Sequence, residues 1–131
     1  MCMTDPITDM LNRIRNAQAV SHQTVDIPFS KLKAEIVKIL EKEKFLTKVD
    51  IKRKKKGKIL KLSLKYDKEK GVISGLKRVS RPGQRIYASF RDINKIKKKS
   101  GIVILSTSKG LMADKKARKQ KLGGEVIAEI W

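Results

Sequence analysis

The run Ser106-Thr107-Ser108-Lys109 crowds together side chains able to do chemistry. It satisfies Ser-x-x-Lys, the spacing at which a lysine activates a serine for acyl transfer. The context argues against that use. The companion motifs Ser-Asp-Asn and Lys-Thr-Gly are absent, and the run follows a strand-like segment instead of opening a long helix. The same hydroxyls each donate and accept a hydrogen bond, which suits the 2′-hydroxyls and base edges of a shallow RNA minor groove. Lys109 offers a cation to a phosphate, and Gly110 lets a backbone approach closely. An ordinary polar loop after a buried strand has the same composition, so the segment by itself leaves both readings open.

Other chemistry is thinly represented. The single histidine, His22, has no cysteine partner at metal-ligand spacing, and the single cysteine, Cys2, can form no internal disulfide. Gly57-Lys58 lacks the first glycine of a phosphate loop, with Lys52 in its place. No carboxylate pair is placed for acid–base work, and nothing calls for a cofactor or a metal. What the chain has in abundance is cations. Lys115-Lys116-Ala117-Arg118-Lys119-Gln120-Lys121 is the densest late cluster, readable as a phosphate cradle or as a solvated surface. Tyr87 is a candidate stacking side chain or a packed boundary tyrosine. Glu125, an acid in a basic region, can accept from RNA or tether nearby donors. Trp131 reads as a packing anchor.

The charge balance favours a polyanionic partner. Lys and Arg number 33 against 13 Asp and Glu, for a formal net charge of +20. A compact chain holding that charge repels itself, and a polyanion relieves the repulsion. The excess is uneven: residues 1–69 hold 17 basic and 9 acidic side chains, a net +8, and residues 70–131 hold 16 and 4, a net +12. The 25 lysines outnumber the 8 arginines, which favours attraction to a nucleic-acid backbone over bidentate reading of bases. No apolar stretch approaches the roughly 20 residues needed to cross a bilayer. With no secretory signal pattern at the N-terminus, the sequence reads as cytosolic and not membrane-bound.

Hydrophobic periodicity supplies the elements that must hold these residues. Asp5 and Pro6 start a helix whose apolar face is Ile7, Met10, Leu11, Ile14 and Ala17, running to about Val20. Val25–Pro28 is a short strand. Ser30 caps a second helix to about Lys44, with Leu32, Ile36, Ile39 and Leu40 as its expected buried stripe. Val49 and Ile51 lead into the basic turn Arg53–Gly57, and Leu60, Leu62, Leu64 and Tyr66 alternate on the return strand. Asp67–Gly71 is the expected boundary. Beyond it come strands at Val72–Val79 and Arg85–Phe90, a turn at Pro82-Gly83, a helical turn at Arg91–Ile96, the apolar run Ile102–Leu105, and a last strand at Glu125–Trp131. The fold class is α+β in two small lobes. Residues 1–68 form an α/β lobe with two helices on a short sheet, and residues 69–131 form a mostly antiparallel β lobe.

At these positions the chain resembles the bacterial small-subunit ribosomal protein family numbered eight. The resemblance rests on Asp5-Pro6-Ile7, Asp9-Met10-Leu11, Arg13–Ala17, Ile27-Pro28, Ser30–Lys33 and Gly75–Gly83. Its most specific parts are Ile104–Met112, Gly123-Gly124-Glu125-Val126 and the terminal Trp131. It implies a non-enzymatic structural constituent of the small ribosomal subunit that binds the 16S ribosomal RNA central domain and helps assemble the platform. The implied RNA site is Ser106, Thr107, Ser108, Lys109 and Gly110, with Tyr87 and Glu125, and Lys115, Lys116, Arg118 and Lys119 as electrostatic contributors. Implied partners are neighbouring small-subunit proteins numbered five and twelve, and the chain's own operon mRNA for a regulatory role. Two departures stand out: Lys97-Lys98-Lys99 replaces apolar or glycine residues, and Ala113 replaces a frequent threonine. A general nucleic-acid-compacting basic protein is the alternative that charge alone would allow.

Overall fold

The computed structural model describes residues 6–131 apart from Lys56, Glu69, Pro82 and residues 97–100. The expected cap Asp5 and the Lys97–Lys99 loop therefore lie outside the described residues. The chain divides into two compact units, one of Ile7–Ser74 and the other of Gly75–Trp131 together with Pro6.

The first unit contains α1 (Pro6–Ala19), β1 (Thr24–Pro28), α2 (Lys31–Lys42), β2 (Leu46–Lys54), β3 (Gly57–Leu64), β4 (Tyr66–Asp67) and β5 (Lys70–Gly71). Helix α1 buries the apolar face its spacing predicts: Ile7, Met10, Leu11, Ile14 and Ala17. The sheet is antiparallel in the order β1–β3–β2. In its central strand Leu60, Leu62 and Leu64 are buried while Lys61 and Ser63 are only partly covered, as a period of two requires. Fully burying each such leucine is worth about 1.5–3 kcal/mol. Tyr66 has moved beyond that strand into the short β4–β5 pair. Its hydroxyl donates to the His22 carbonyl, and burial raises its phenol above the ordinary value.

Helix α2 corrects one expectation. Ser30 is its cap, its hydroxyl accepting from the Lys33 amide at 3.1 Å. The buried stripe, however, is Lys33, Ala34, Ile36, Val37 and Leu40, and Leu32 is 43% exposed. The helix is rotated so that the Lys33 stem lies on the apolar face, with its ammonium donating to the Pro28 carbonyl at 3.5 Å. A lysine can be buried this way because only its tip needs a polar partner.

The second unit contains β6 (Leu76–Arg78), β7 (Tyr87–Ala88), α3 (Ile93–Ile96), β8 (Ile102–Thr107), β9 (Gly110–Ala113), α4 (Asp114–Lys119) and β10 (Gly124–Ile130). Its sheet runs β6–β10–β8–β9, with β7 also paired to β10, and every pairing is antiparallel. The two strands expected over Val72–Val79 and Arg85–Phe90 are shorter than anticipated, but the alternation in the second holds: Ala88 is buried and Tyr87 exposed. Ser80 stands between them, fully buried, accepting from the Ile86 amide at 2.8 Å and donating to the Ile86 carbonyl at 3.1 Å. One hydroxyl thus closes the loop that carries β7 to the end of β10. Trp131 is a packing anchor: its backbone exchanges hydrogen bonds with Gly75, whose missing side chain makes room for the indole.

Candidate nucleic-acid interface

Strand β8 is buried on both faces from Ile102 to Leu105 and surfaces at Ser106. Its partners extend this change into a row. Ser106 faces Glu125 on β10, and Glu125 faces Tyr87 on β7. Residues far apart in sequence are thereby direct cross-strand neighbours, with side chains on the same face of the sheet. The adjoining positions Leu105, Val126 and Ala88 turn the other way, into a core with Val103, Met112, Ile93 and Ala117. Tyr87 is 69% exposed, so its ring is open to a stacking partner.

Glu125 is held by a residue to which sequence reasoning had assigned no role. The Arg85 guanidinium donates to Glu125 Oε1 at 2.9 Å, and the Glu125 side chain is only 16% exposed. Arg85 precedes Tyr87 by two positions, which on an extended chain puts both on the same side; that spacing was the available signal. The ion pair orients the carboxylate and offsets its charge, so an acceptor survives in a place suited to a polyanion.

Two glycines allow the row to form. A side chain at Gly124 would meet the Ser106 carbonyl, and one at Gly123 would meet the backbone of Ala88 and Ser89. Strand β10 therefore enters between β7 and β8 at a separation only glycine permits.

The β8–β9 hairpin puts Ser108 and Lys109 at its exposed tip, with Thr107 paired to Gly110. Gly110 takes the positive φ, at +106°, while Ser108 and Lys109 do not; a turn closed by a left-handed glycine is a common hairpin solution. The Thr107 hydroxyl is engaged in the turn, donating to the Gly110 carbonyl at 2.8 Å and accepting from the Lys109 amide at 3.2 Å. Ser106 and Ser108 are exposed, whereas Thr107 shapes the loop that presents them.

The basic stretch after the hairpin forms α4. Asp114 opens it and its cations close it, an arrangement that complements the helix dipole. Asp114 is fully buried, accepts from the Val103 amide at 3.3 Å and pairs with Arg118 at 3.3 Å. This fastens the helix to β8. Lys115, Lys116 and Lys119 are exposed; Arg118 is partly buried and tied to Asp114. Because Ala117 packs among Leu105, Met112 and Val126, α4 covers the face opposite the Tyr87–Glu125–Ser106 row. The candidate residues are thus brought together in two groups, not one. Among the described residues there is no group of His, Cys, Asp or Glu that could hold a metal, and no helix is long and apolar enough to cross a membrane.

Comparison with known families decides the chain's kinship. The profile of the family described as Ribosomal protein S8 matches residues 5–131. The chain belongs to the ribosomal protein S8 family. Among similar proteins, small ribosomal subunit protein uS8 of Caldanaerobacter subterraneus subsp. tengcongensis is 54% identical, with the whole of both chains aligned. That of Thermoanaerobacter sp. (strain X514) is also 54% identical, and that of Clostridioides difficile (strain 630) 49%, again over the full length of both chains. The segments on which the resemblance was drawn fall within the matched S8 range. Their described residues lie at the glycine-permitted strand entry, the hairpin and the Ser80 loop closure, and also in α1, the end of β1 and the start of α2.

Proposed function

We propose that this S8 family member is a structural, non-enzymatic constituent of the small ribosomal subunit. It binds a helical element in the central domain of 16S ribosomal RNA and helps organise the platform. Family membership supports the first statement; a ribosomal protein of this kind acts in the cytoplasm as part of the ribosome. The observation that carries the RNA reading is the cross-strand row of Tyr87, Glu125 and Ser106 beside the exposed hairpin tip.

Each group has a chemical task. Ser106 and Ser108 bond 2′-hydroxyls or base edges in the shallow groove. Glu125, aligned by Arg85, accepts from an RNA amino or hydroxyl group. Tyr87 stacks on an exposed base or ribose. Thr107 and Gly110 fix the turn, and Lys109 meets a phosphate. Lys115, Lys116 and Lys119, on the other face, add to the attractive field without reading sequence, and Arg118 keeps α4 docked through Asp114. Small-subunit proteins five and twelve are the proposed neighbours.

Replacing both serines with alanine tests this assignment. Two lost hydrogen bonds at about 0.5–1.5 kcal/mol each predict binding to the central-domain stem weaker by roughly 5- to 150-fold. Binding to an unrelated RNA duplex should remain within about two-fold, since it depends on charge. Equal losses on both RNAs would overturn the assignment.

A further inference from the structure

The sheet of the first unit matches its charges in one row and leaves them unmatched in another. Lys61 on β3 lies between Asp26 on β1 and Asp50 on β2 as their direct partner. The same two carboxylates take Lys54, at 3.4 Å from Asp26, and Lys48, at 3.7 Å from Asp50. Three positions further toward the tip of the β2–β3 hairpin the pattern stops. Arg53 faces Lys58 directly, Lys55 follows in the turn, and all three are exposed. Like charges placed directly opposite destabilise a hairpin. Among the described residues, no carboxylate lies within ion-pair distance of Arg53, Lys55 or Lys58.

The tip is also shaped. The Lys58 ammonium lies 5.5 Å above the centre of the Phe29 ring, which holds the cation in place over an apolar surface. Pro28 and Ile59 line an open groove together with Arg53, Lys55 and Lys58. A sugar–phosphate backbone, with its closely spaced charges, can engage several neighbouring cations at once and needs no deep pocket. A lipid surface would be favoured by a row of apolar side chains to insert. The exposed large apolar side chain of β2, Ile51, instead pairs with Leu60 beside the charge-matched row, two positions back from Arg53.

We infer that the tip of the β2–β3 hairpin is a second RNA-binding site, which takes the phosphodiester backbone through Arg53, Lys55 and Lys58. It is independent of the serine hairpin in the other unit and reads no base sequence. Its relief of the Arg53–Lys58 repulsion is the driving chemistry, so binding there is strongly salt-dependent.

The test follows backbone amide resonances of the full chain as a short duplex RNA of arbitrary sequence is added. Amides around 53–58 should shift, and should still shift when Ser106 and Ser108 are both alanine, which separates this site from the one proposed above. A triple variant, Arg53→Gln with Lys55→Gln and Lys58→Gln, should lose those shifts while keeping native dispersion. Its log–log salt slope for RNA binding should be shallower by about 2.1–2.7, three phosphate contacts at roughly 0.7–0.9 each. A charge-preserving Arg53→Lys variant should retain most of the response. Shifts confined to residues 106–119, or an unchanged salt slope in the triple variant, would overturn the inference. So would equal responses at matched charge to polyglutamate or to vesicles containing anionic lipid.

Discussion

Gly124→Ala is the sharpest perturbation the interface offers, because a single methyl group meets backbone on a neighbouring strand. Its added carbon would collide with the Ser106 carbonyl oxygen, lie 2.9 Å from the Ser106 carbonyl carbon and 3.2 Å from Thr107 Cα. None of these atoms is the end of a flexible side chain, so β10 and β8 must part at that point. Overpacking of this kind costs typically about 1–3 kcal/mol. For 131 residues, an unfolding entropy near 2.1 cal/mol/K per residue gives roughly 275 cal/mol/K in all. A two-state melt would then fall by about 4–11 °C. Gly83→Ala is the internal control, since nothing lies within 4 Å of its added carbon; it should be neutral or stabilising by up to about 1 kcal/mol. Thermal and urea melts of the two variants decide the point. Because the collision is at Ser106, affinity for the central-domain stem should also fall at temperatures where Gly124→Ala is fully folded. Gly124→Ala melting alongside Gly83→Ala would refute the close approach of the two strands.

Three further outcomes follow from the geometry. Arg85→Gln should cost less than about 1 kcal/mol of stability, because the guanidinium is half exposed. It should nevertheless weaken specific RNA binding, and a double-mutant cycle with Glu125→Gln should show the two effects are coupled. Neutralising Lys116 and Lys119 together should reduce the log–log salt slope by about 1.4–1.8 without changing preference among RNAs; altered preference would place them in the reading face. Ser30→Ala should destabilise the chain by about 0.5–2 kcal/mol in urea melts by removing the α2 cap, and an unchanged midpoint would contradict the cap.

Local patterns were legible in the sequence wherever one face of one element is buried. The five apolar residues of α1 and the three leucines of β3 needed only periods of 3.6 and two to be placed. The serine cap of α2 was legible for the same reason: it acts within one turn. What escaped notice depends on long-range contacts. Lys33 on the buried face of α2 displaced Leu32 because a carbonyl outside the helix, that of Pro28, receives its ammonium. The stretch that forms α4 read equally as a phosphate cradle or a solvated charge run, and its docking as a helix escaped notice because its anchor, Asp114, is buried against the Val103 amide in another strand. Tyr87, Glu125 and Ser106 could be singled out one by one, yet the pairing of β7, β10 and β8 that unites them, and Arg85 beside them, cannot be read from spacing alone. The same pairing separates them from the lysines of α4, which composition had grouped with them.

Recognition of one RNA element by this S8 family member, as proposed, must exceed the attraction of its net charge of +20 for any polyanion. Its most direct test is a salt titration of binding to the 16S central-domain stem, with a scrambled stem and duplex DNA as competitors. Recognition through the Tyr87–Glu125–Ser106 row and the serine hairpin predicts a complex that survives both competitors at physiological salt. Binding that collapses equally for all three polyanions would mean that charge alone attracts them, and would contradict the claim.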